Sequence, residues 1–135
     1  MQVSQIMTPD PDVAQLADTL QAVAAKMDSG DYGSMPVVDD GRLVGVLTDR
    51  DIAVRAVAQG LGPETAVSEV MTPDPVCIAP ESDVEEAAEI MQEEQIRRLF
   101  VTDDDDRLVG VVALGDVALG QDEDLSGRTL EEISE

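Results

Sequence analysis

The sequence predicts a mixed α/β (α+β) fold built from two tandem β-α-β-β-α repeats, and three observations carry that prediction. "VSQIMTPDP" at residues 3–11 returns as "VSEVMTPDP" at 67–75, an offset of 64 with seven of nine residues identical. "RLVGV" occurs at 42–46 and again at 107–111, so one residue has been gained in the acidic turn where "DDGR" becomes "DDDDR". Each copy also carries apolar residues at i, i+3, i+4 and i+7: Leu20, Val23, Ala24 and Met27, then Val84, Ala87, Ala88 and Met91. That spacing is one face of an amphipathic helix turned to a core.

The elements follow in the same order in each copy. "DVAQ" and "VCIA" read as a short strand ahead of the first helix. Asp18 with Gln21, and Ser82 with Glu85, have the spacing of a capping box at the helix start. "MPVV-DDG-RLVGVLT" and "LFVT-DDDD-RLVGVVA" are β-rich runs around acidic turns, the pattern of a hairpin. A second helix is expected over about 49–59 and again over 115–119, the latter stopped by Gly120. "GLGPETA" (60–66) reads as the linker, giving repeats at 1–62 and 63–125. Ser126 then reads as a cap for a helical tail expected over 126–135. A repeat of roughly 60 residues buries little by itself. Two packed through their sheets would make one unit with pseudo-two-fold symmetry and a cleft where the copies meet.

Composition narrows the function. The apolar content is 43%, but Tyr32 and Phe100 are the only aromatics, so the core must be aliphatic. No apolar run approaches the ~18 residues of a membrane span, and the N-terminus lacks a signal-peptide pattern, so a cytoplasmic protein without a membrane partner is expected. The single cysteine, Cys77, reads as an inert buried residue, and the absence of histidine argues against zinc. With no histidine and no base beside Cys77, no catalytic constellation stands out; the expectation is a non-enzyme without a catalytic cofactor. Thirty acidic against eight basic residues give a formal charge of −22. This excludes the basic face that a nucleic-acid partner needs. The acids are spread along the chain rather than gathered in a tail, which favours solvation in a salt-rich cytoplasm over mimicry of a nucleic acid.

Taken together, "VSQIMTPDP", "MPVVDDGRLVGVLTDRDIAVRAVAQG", "VSEVMTPDP" and "RRLFVTDDDDRLVGVVALGDVA" resemble a pair of CBS (cystathionine β-synthase) domains, the Bateman module, over about residues 3–119. The chain looks like a stand-alone prokaryotic member, of halophilic character. The resemblance implies a regulatory module that binds an adenosine-containing ligand (AMP, ADP, ATP or S-adenosylmethionine) in the cleft between repeats. It also implies a homodimer and a regulated protein partner. The ligand motif of the family is matched by Gly45 to Asp51, with Thr48 and Asp51 as ligand groups and Arg50 beside them. By the same resemblance Ile78 and the turn Ile96–Arg97–Arg98 would complete that site. Asp116 would combine with Val13, Ala14 and the turn Tyr32–Gly33–Ser34, and Arg98 would reach a phosphate in the Asp116 site. Ala113 departs from the motif where Thr48 keeps it.

The chemistry is sensible without the family. The carboxylate of Asp51 can accept two hydrogen bonds from a ribose cis-diol, and the hydroxyl of Thr48 suits a phosphate or ribose oxygen. Other readings stand beside this one. "TDRD" also fits a capping box, and Asp116 also reads as an acid favoured at a helix start. Arg97 and Arg98 also read as offsets to the surrounding acids. Asp103–Asp106 reads either as a Mg²⁺ or Ca²⁺ chelator or as a solvated hairpin turn. The paired Met7/Met71 and Met27/Met91 are core-like. A ligandless dimeric adaptor with degenerate sites is the competing function. The charge disfavours a triphosphate without Mg²⁺. At molar salt the screening length falls to ~3 Å. Lowering the salt should therefore cost the fold compactness and melting temperature, as read by circular dichroism; an unchanged melt would refute the halophilic reading.

Overall fold

A computed structural model describes residues 1–120; the tail expected over 126–135 lies outside the described residues. The chain divides into two compact units, Asp12–Pro75 and a second made of Met1–Pro11 with the described residues from Val76 onward. These units cut across the expected boundaries, because each "MTPDP" segment joins the sheet of the other repeat's hairpin.

The first unit contains β2 (Ala14–Gln15), α1 (Leu20–Gly30), β3 (Ser34–Asp39), β4 (Arg42–Thr48), α2 (Asp49–Asp51) and β5 (Thr72–Pro73). Its sheet runs β2-β3-β4-β5, with β2 parallel to β3 and the other neighbours antiparallel. The hairpin closes through Asp40 and Gly41, both at positive φ (53° and 80°), between the paired Asp39 and Arg42. Two left-handed residues in a two-residue loop match the twist of the strands they join. Helix α2 continues as a π turn over Ile52–Ala56 and a 3₁₀ turn over Val57–Gln59, so the expected 49–59 helix is present with irregular winding. Leu20, Val23 and Met27 of α1 pack with Met35, Val37 and Leu47 of the hairpin.

The second unit contains β1 (Thr8–Pro9), β6 (Cys77–Ile78), α3 (Val84–Glu94), β7 (Arg98–Thr102), β8 (Leu108–Ala113) and a helical segment, α4, over 114–120. Its sheet order, β1-β8-β7-β6, repeats the pattern of the first. Val84, Ala87 and Met91 pack with Leu99, Val101, Val112 and Val117. Gly120, expected to stop this helix, is itself helical and is the last described residue of α4.

The helix caps lie one residue beyond the expected ones. Thr19 caps α1, accepting from Ala22 N–H at 3.2 Å, and Asp83 caps α3, accepting from Glu85 N–H at 2.9 Å. Asp18 instead accepts from Gln15 N–H at 2.8 Å, closing the turn before the helix. The reason lies in the free donors of a helix start, which need partners from somewhere. Leu20 and Gln21 donate to the carbonyls of Thr65 and Pro63 at 2.9 and 3.0 Å. Val84 donates to Met1 O at 3.0 Å. The segment expected as a linker is therefore bound along the entrance of α1. Both first helices end alike, with Asp31 and Gln95 left-handed (φ 57° and 56°).

The strands β5 and β1 run close over a glycine. A Cβ on Gly45 would stand 2.5 Å from Met71 Sδ and 3.0 Å from Thr72 O; on Gly110 it would stand 2.5 Å from Met7 Sδ and 3.0 Å from Thr8 O. A side chain there must displace the methionine thioether and press the carbonyl of the passing strand back by a few tenths of an ångström. Gly45→Ala and Gly110→Ala should each destabilise the fold by about 1–3 kcal/mol, the usual cost of overpacking, measured by chemical denaturation. A change under about 0.5 kcal/mol would show that the strand yields freely.

Candidate functional site

The end of β4 delivers the chain into α2, and the residues there hold one another. Thr48 Oγ1 accepts from Asp51 N–H at 3.0 Å, and Asp51 Oδ2 accepts from Thr48 N–H at 3.0 Å. This reciprocal pair is the capping box that "TDRD" allowed. Two further residues reach the same carboxylate. The hydroxyl of Thr72, on β5, donates across both oxygens of Asp51 at 3.3 and 3.4 Å. Arg55 Nη1 stands 3.9 Å from Asp51 Oδ1 and donates to Thr72 Oγ1 and Met71 O, each at 3.3 Å. Asp51 is 9% exposed, the one buried acidic residue among those described. A buried carboxylate needs hydrogen bonds in place of the water it has lost, and these supply them.

The turn before β3 is fixed to the same place. Asp49 N–H donates to Gly33 O at 3.0 Å, and Ser34 is the ladder partner of Thr48. Arg50 is exposed, its N–H bonded to Asp49 Oδ1 at 2.8 Å. Thr48, Asp51, Gly33 and Ser34 thus meet at one end of the first unit's sheet. Val13 is half-buried beside β2, and its carbonyl accepts from Lys26 Nζ at 3.0 Å.

The equivalent end of the second unit has the same backbone and different side chains. Leu114 N–H donates to Arg97 O at 2.7 Å, as Asp49 does to Gly33. Arg98 is the ladder partner of Ala113, as Ser34 is of Thr48. Asp116, half-buried, accepts from Ala113 N–H at 3.3 Å. With Ala113 where the other unit has a threonine, only half of the reciprocal cap can form. Arg98 and Asp116 therefore belong to one end of one sheet, with Arg97 exposed and Ile96 half-buried in the adjoining turn. Ile78 is 5% exposed and packs in the core of its unit.

Thr72 and Arg55 were not among the candidate residues. The signal for Arg55 was its i+4 spacing from Asp51 on a helix, a pairing that often brings opposite charges together. Thr72 sits in the repeated "MTPDP", whose role no local pattern reveals. Cys77 corrects an expectation: it is exposed, because strand alternation on β6 gives the inward position to Ile78. In the acidic turn, Asp103 Oδ1 accepts from Asp105 and Arg107 N–H at 2.9 and 3.0 Å, the bonding of a self-closed hairpin turn. Among the described residues no group of three or more acidic or cysteine side chains is placed to hold a metal, and no helix is long and apolar enough to cross a membrane.

Known proteins resemble this chain in sequence and fold. A CBS domain-containing protein of Bacillus subtilis, YhcV, is 42% identical over 132 residues, covering 97% of this chain and 90% of its own. The crystal structure of the Arabidopsis thaliana CBS-pair protein CBSX2 in complex with AMP matches with a TM-score of 0.78 at 26% identity, covering 89% of this chain and 95% of that one. Hypoxic Response Protein I, solved with two coordinated zinc ions, matches with a TM-score of 0.79 at 34% identity, covering 87% and 97%. The family profile of the CBS domain matches twice, over residues 3–57 and 67–120. With two sheets of one topology, two equivalent strand-to-helix junctions and these two matches, the chain belongs to the CBS domain family and carries a pair of its domains.

Proposed function

We propose that the protein is a regulatory, ligand-sensing module of the cytoplasm that binds an adenosine-containing ligand, with the ribose held by Asp51 and Thr48. The observation that carries this reading is the buried carboxylate of Asp51 at the β4–α2 junction, paired with a hydroxyl that still has a proton to donate. The AMP complex of CBSX2 supports the ligand class, as does that of the Pyrobaculum aerophilum CBS protein PAE2072, 27% identical with a TM-score of 0.75. Zinc, held by Hypoxic Response Protein I, transfers less well to a chain without histidine. Ile78, Ile96 and Arg97 enter the proposal as adenine-framing residues on the resemblance alone. Asp116, with Arg98, Val13, Gly33 and Ser34, enters as the second, chemically different site on the same footing.

One observation favours the ligandless adaptor. Asp51 is already engaged by Thr48, Thr72 and Arg55, so the carboxylate has structural employment without a ligand. Calorimetry with AMP, ADP, ATP and S-adenosylmethionine separates the two readings. The wild type should bind at least one of them, and Asp51→Ala should weaken that binding by at least about tenfold, since hydrogen bonds to a charged group are worth roughly 1.5–3 kcal/mol. A circular dichroism melt should show the variant still folded. Undiminished affinity in Asp51→Ala would overturn the assignment, and no binding by the wild type would favour the adaptor.

The proposal includes a homodimer. An apolar groove of about 360 Å³ lies between α1 and the segment after β4, with Leu20, Ala24, Ile52 and Val57 among its lining. Nearby Val54, Val57 and Leu61 are 47%, 69% and 42% exposed. On so acidic a chain, an uncharged patch is where a second copy meets least repulsion. Val57→Glu should shift the sedimentation velocity from dimer toward monomer; a variant that sediments like the wild type would remove this patch from the interface.

A further inference from the structure

The binding carboxylate of the proposed site is not oriented by its own helix alone. Asp51 shares its oxygens with Thr48, which precedes it by three residues, and with Thr72, which follows by twenty-one. Thr72 lies on β5, a strand of two residues that pairs with β4 through Thr72 opposite Val46 and Pro73 opposite Gly45. Its hydroxyl has one proton, given to Asp51, while Arg55 Nη1 donates to its oxygen. Arg55 is in turn anchored on Met71 O, the residue before Thr72. The chain of donors therefore runs from Arg55 through Thr72 to Asp51, each bond reinforcing the polarity of the next.

We infer that Thr72 and Arg55 are positioning residues for the ligand-binding carboxylate, and that they make the pairing of β5 and the reading of the ribose one coupled event. This rests on the reading that Asp51 holds a ribose. A carboxylate held on one oxygen by a cap is free to turn about its last bond. One held on both oxygens presents its remaining lone pairs in a fixed direction, and a cis-diol needs that direction to make two bonds at once. The coupling is reciprocal by thermodynamic necessity: whatever β5 contributes to ribose binding, ribose binding returns to the attachment of β5. Because β5 belongs to the second "MTPDP" copy, a ligand on Asp51 then acts on the segment that leads out of this unit. The other unit places Thr8 on β1 in the equivalent position, but has Ala113 for Thr48 and Gly120 for Arg55, so this device belongs to one unit only.

The test is discrimination between AMP and 2′-deoxy-AMP by the full chain in molar salt, read by calorimetry. The wild type should favour AMP, since only AMP offers both hydroxyls to Asp51. Thr72→Val, which keeps the shape and removes the hydroxyl, should lower that preference by about tenfold, and Thr72→Ser should restore it. Arg55→Met should lower it in the same direction, which serves if Thr72→Val does not fold. A structural role would weaken both nucleotides alike, so an unchanged preference in both Thr72→Val and Arg55→Met overturns the inference while leaving the ribose assignment standing. Absence of AMP binding, or of any preference for AMP, in the wild type overturns both.

Discussion

Each unit depends on a strand passing close over a glycine. Met71 and Thr72 cross Gly45 of β4 at a distance that leaves no room for a Cβ, and Met7 and Thr8 cross Gly110 of β8 in the same way. The sheets are completed by these crossings, since β5 and β1 are short and bring little pairing of their own. The glycine that opens the ligand motif in the sequence thus has a packing reason before it has a functional one. It lets a thioether and a backbone carbonyl approach where other residues would hold them off. In the first unit that approach also brings the Thr72 hydroxyl against Asp51, so the fold and the proposed site share one constraint.

The two strand-to-helix junctions show how one backbone supports different electrostatics. In both, the turn before the central strand is bound to the first helical N–H, through Gly33 and Asp49 in one unit and Arg97 and Leu114 in the other. In the first, hydrogen bonds reach both oxygens of the carboxylate and the nearby cation comes from the helix, at Arg55. In the second, the carboxylate accepts from Ala113 N–H and the ladder places Arg98 on the strand opposite. The cation has changed sides of the junction. The first junction presents a carboxylate held on both oxygens, the second a carboxylate held by one backbone N–H with an arginine at the adjacent strand end. That difference comes from side chains alone, because the ladders and turn contacts are matched.

Much of the fold was legible because its signals are local. The helical stripes, the Asp-Gly turn and the β-branched hairpins each lie within one short window, and Leu20, Val23, Met27, Val84, Ala87 and Met91 are all buried. The caps were less legible. Asp18 and Thr19 are both good capping residues, and so are Ser82 and Asp83. The choice was made by distant carbonyls, those of Thr65, Pro63 and Met1, which took the neighbouring N–H groups. Strands β1 and β5 carried no readable pattern, since two residues ending in proline cannot show an alternation. Cys77 was misjudged because its apolar neighbours suggest burial, while on a strand only every second side chain turns inward.

By itself the sequence determined the repeat, the order of elements within it, the residues of each helical stripe and the asymmetry of Thr48 against Ala113. All of these follow from contacts between residues near in the chain or from comparing one copy with the other. Only the tertiary structure decided which hairpin each "MTPDP" segment joins, which N–H groups the linker satisfies, and that Thr72 and Arg55 share the carboxylate of Asp51. Those contacts join residues far apart in the chain, and their partners are chosen by where the packed core leaves a glycine-sized gap or an unsatisfied donor.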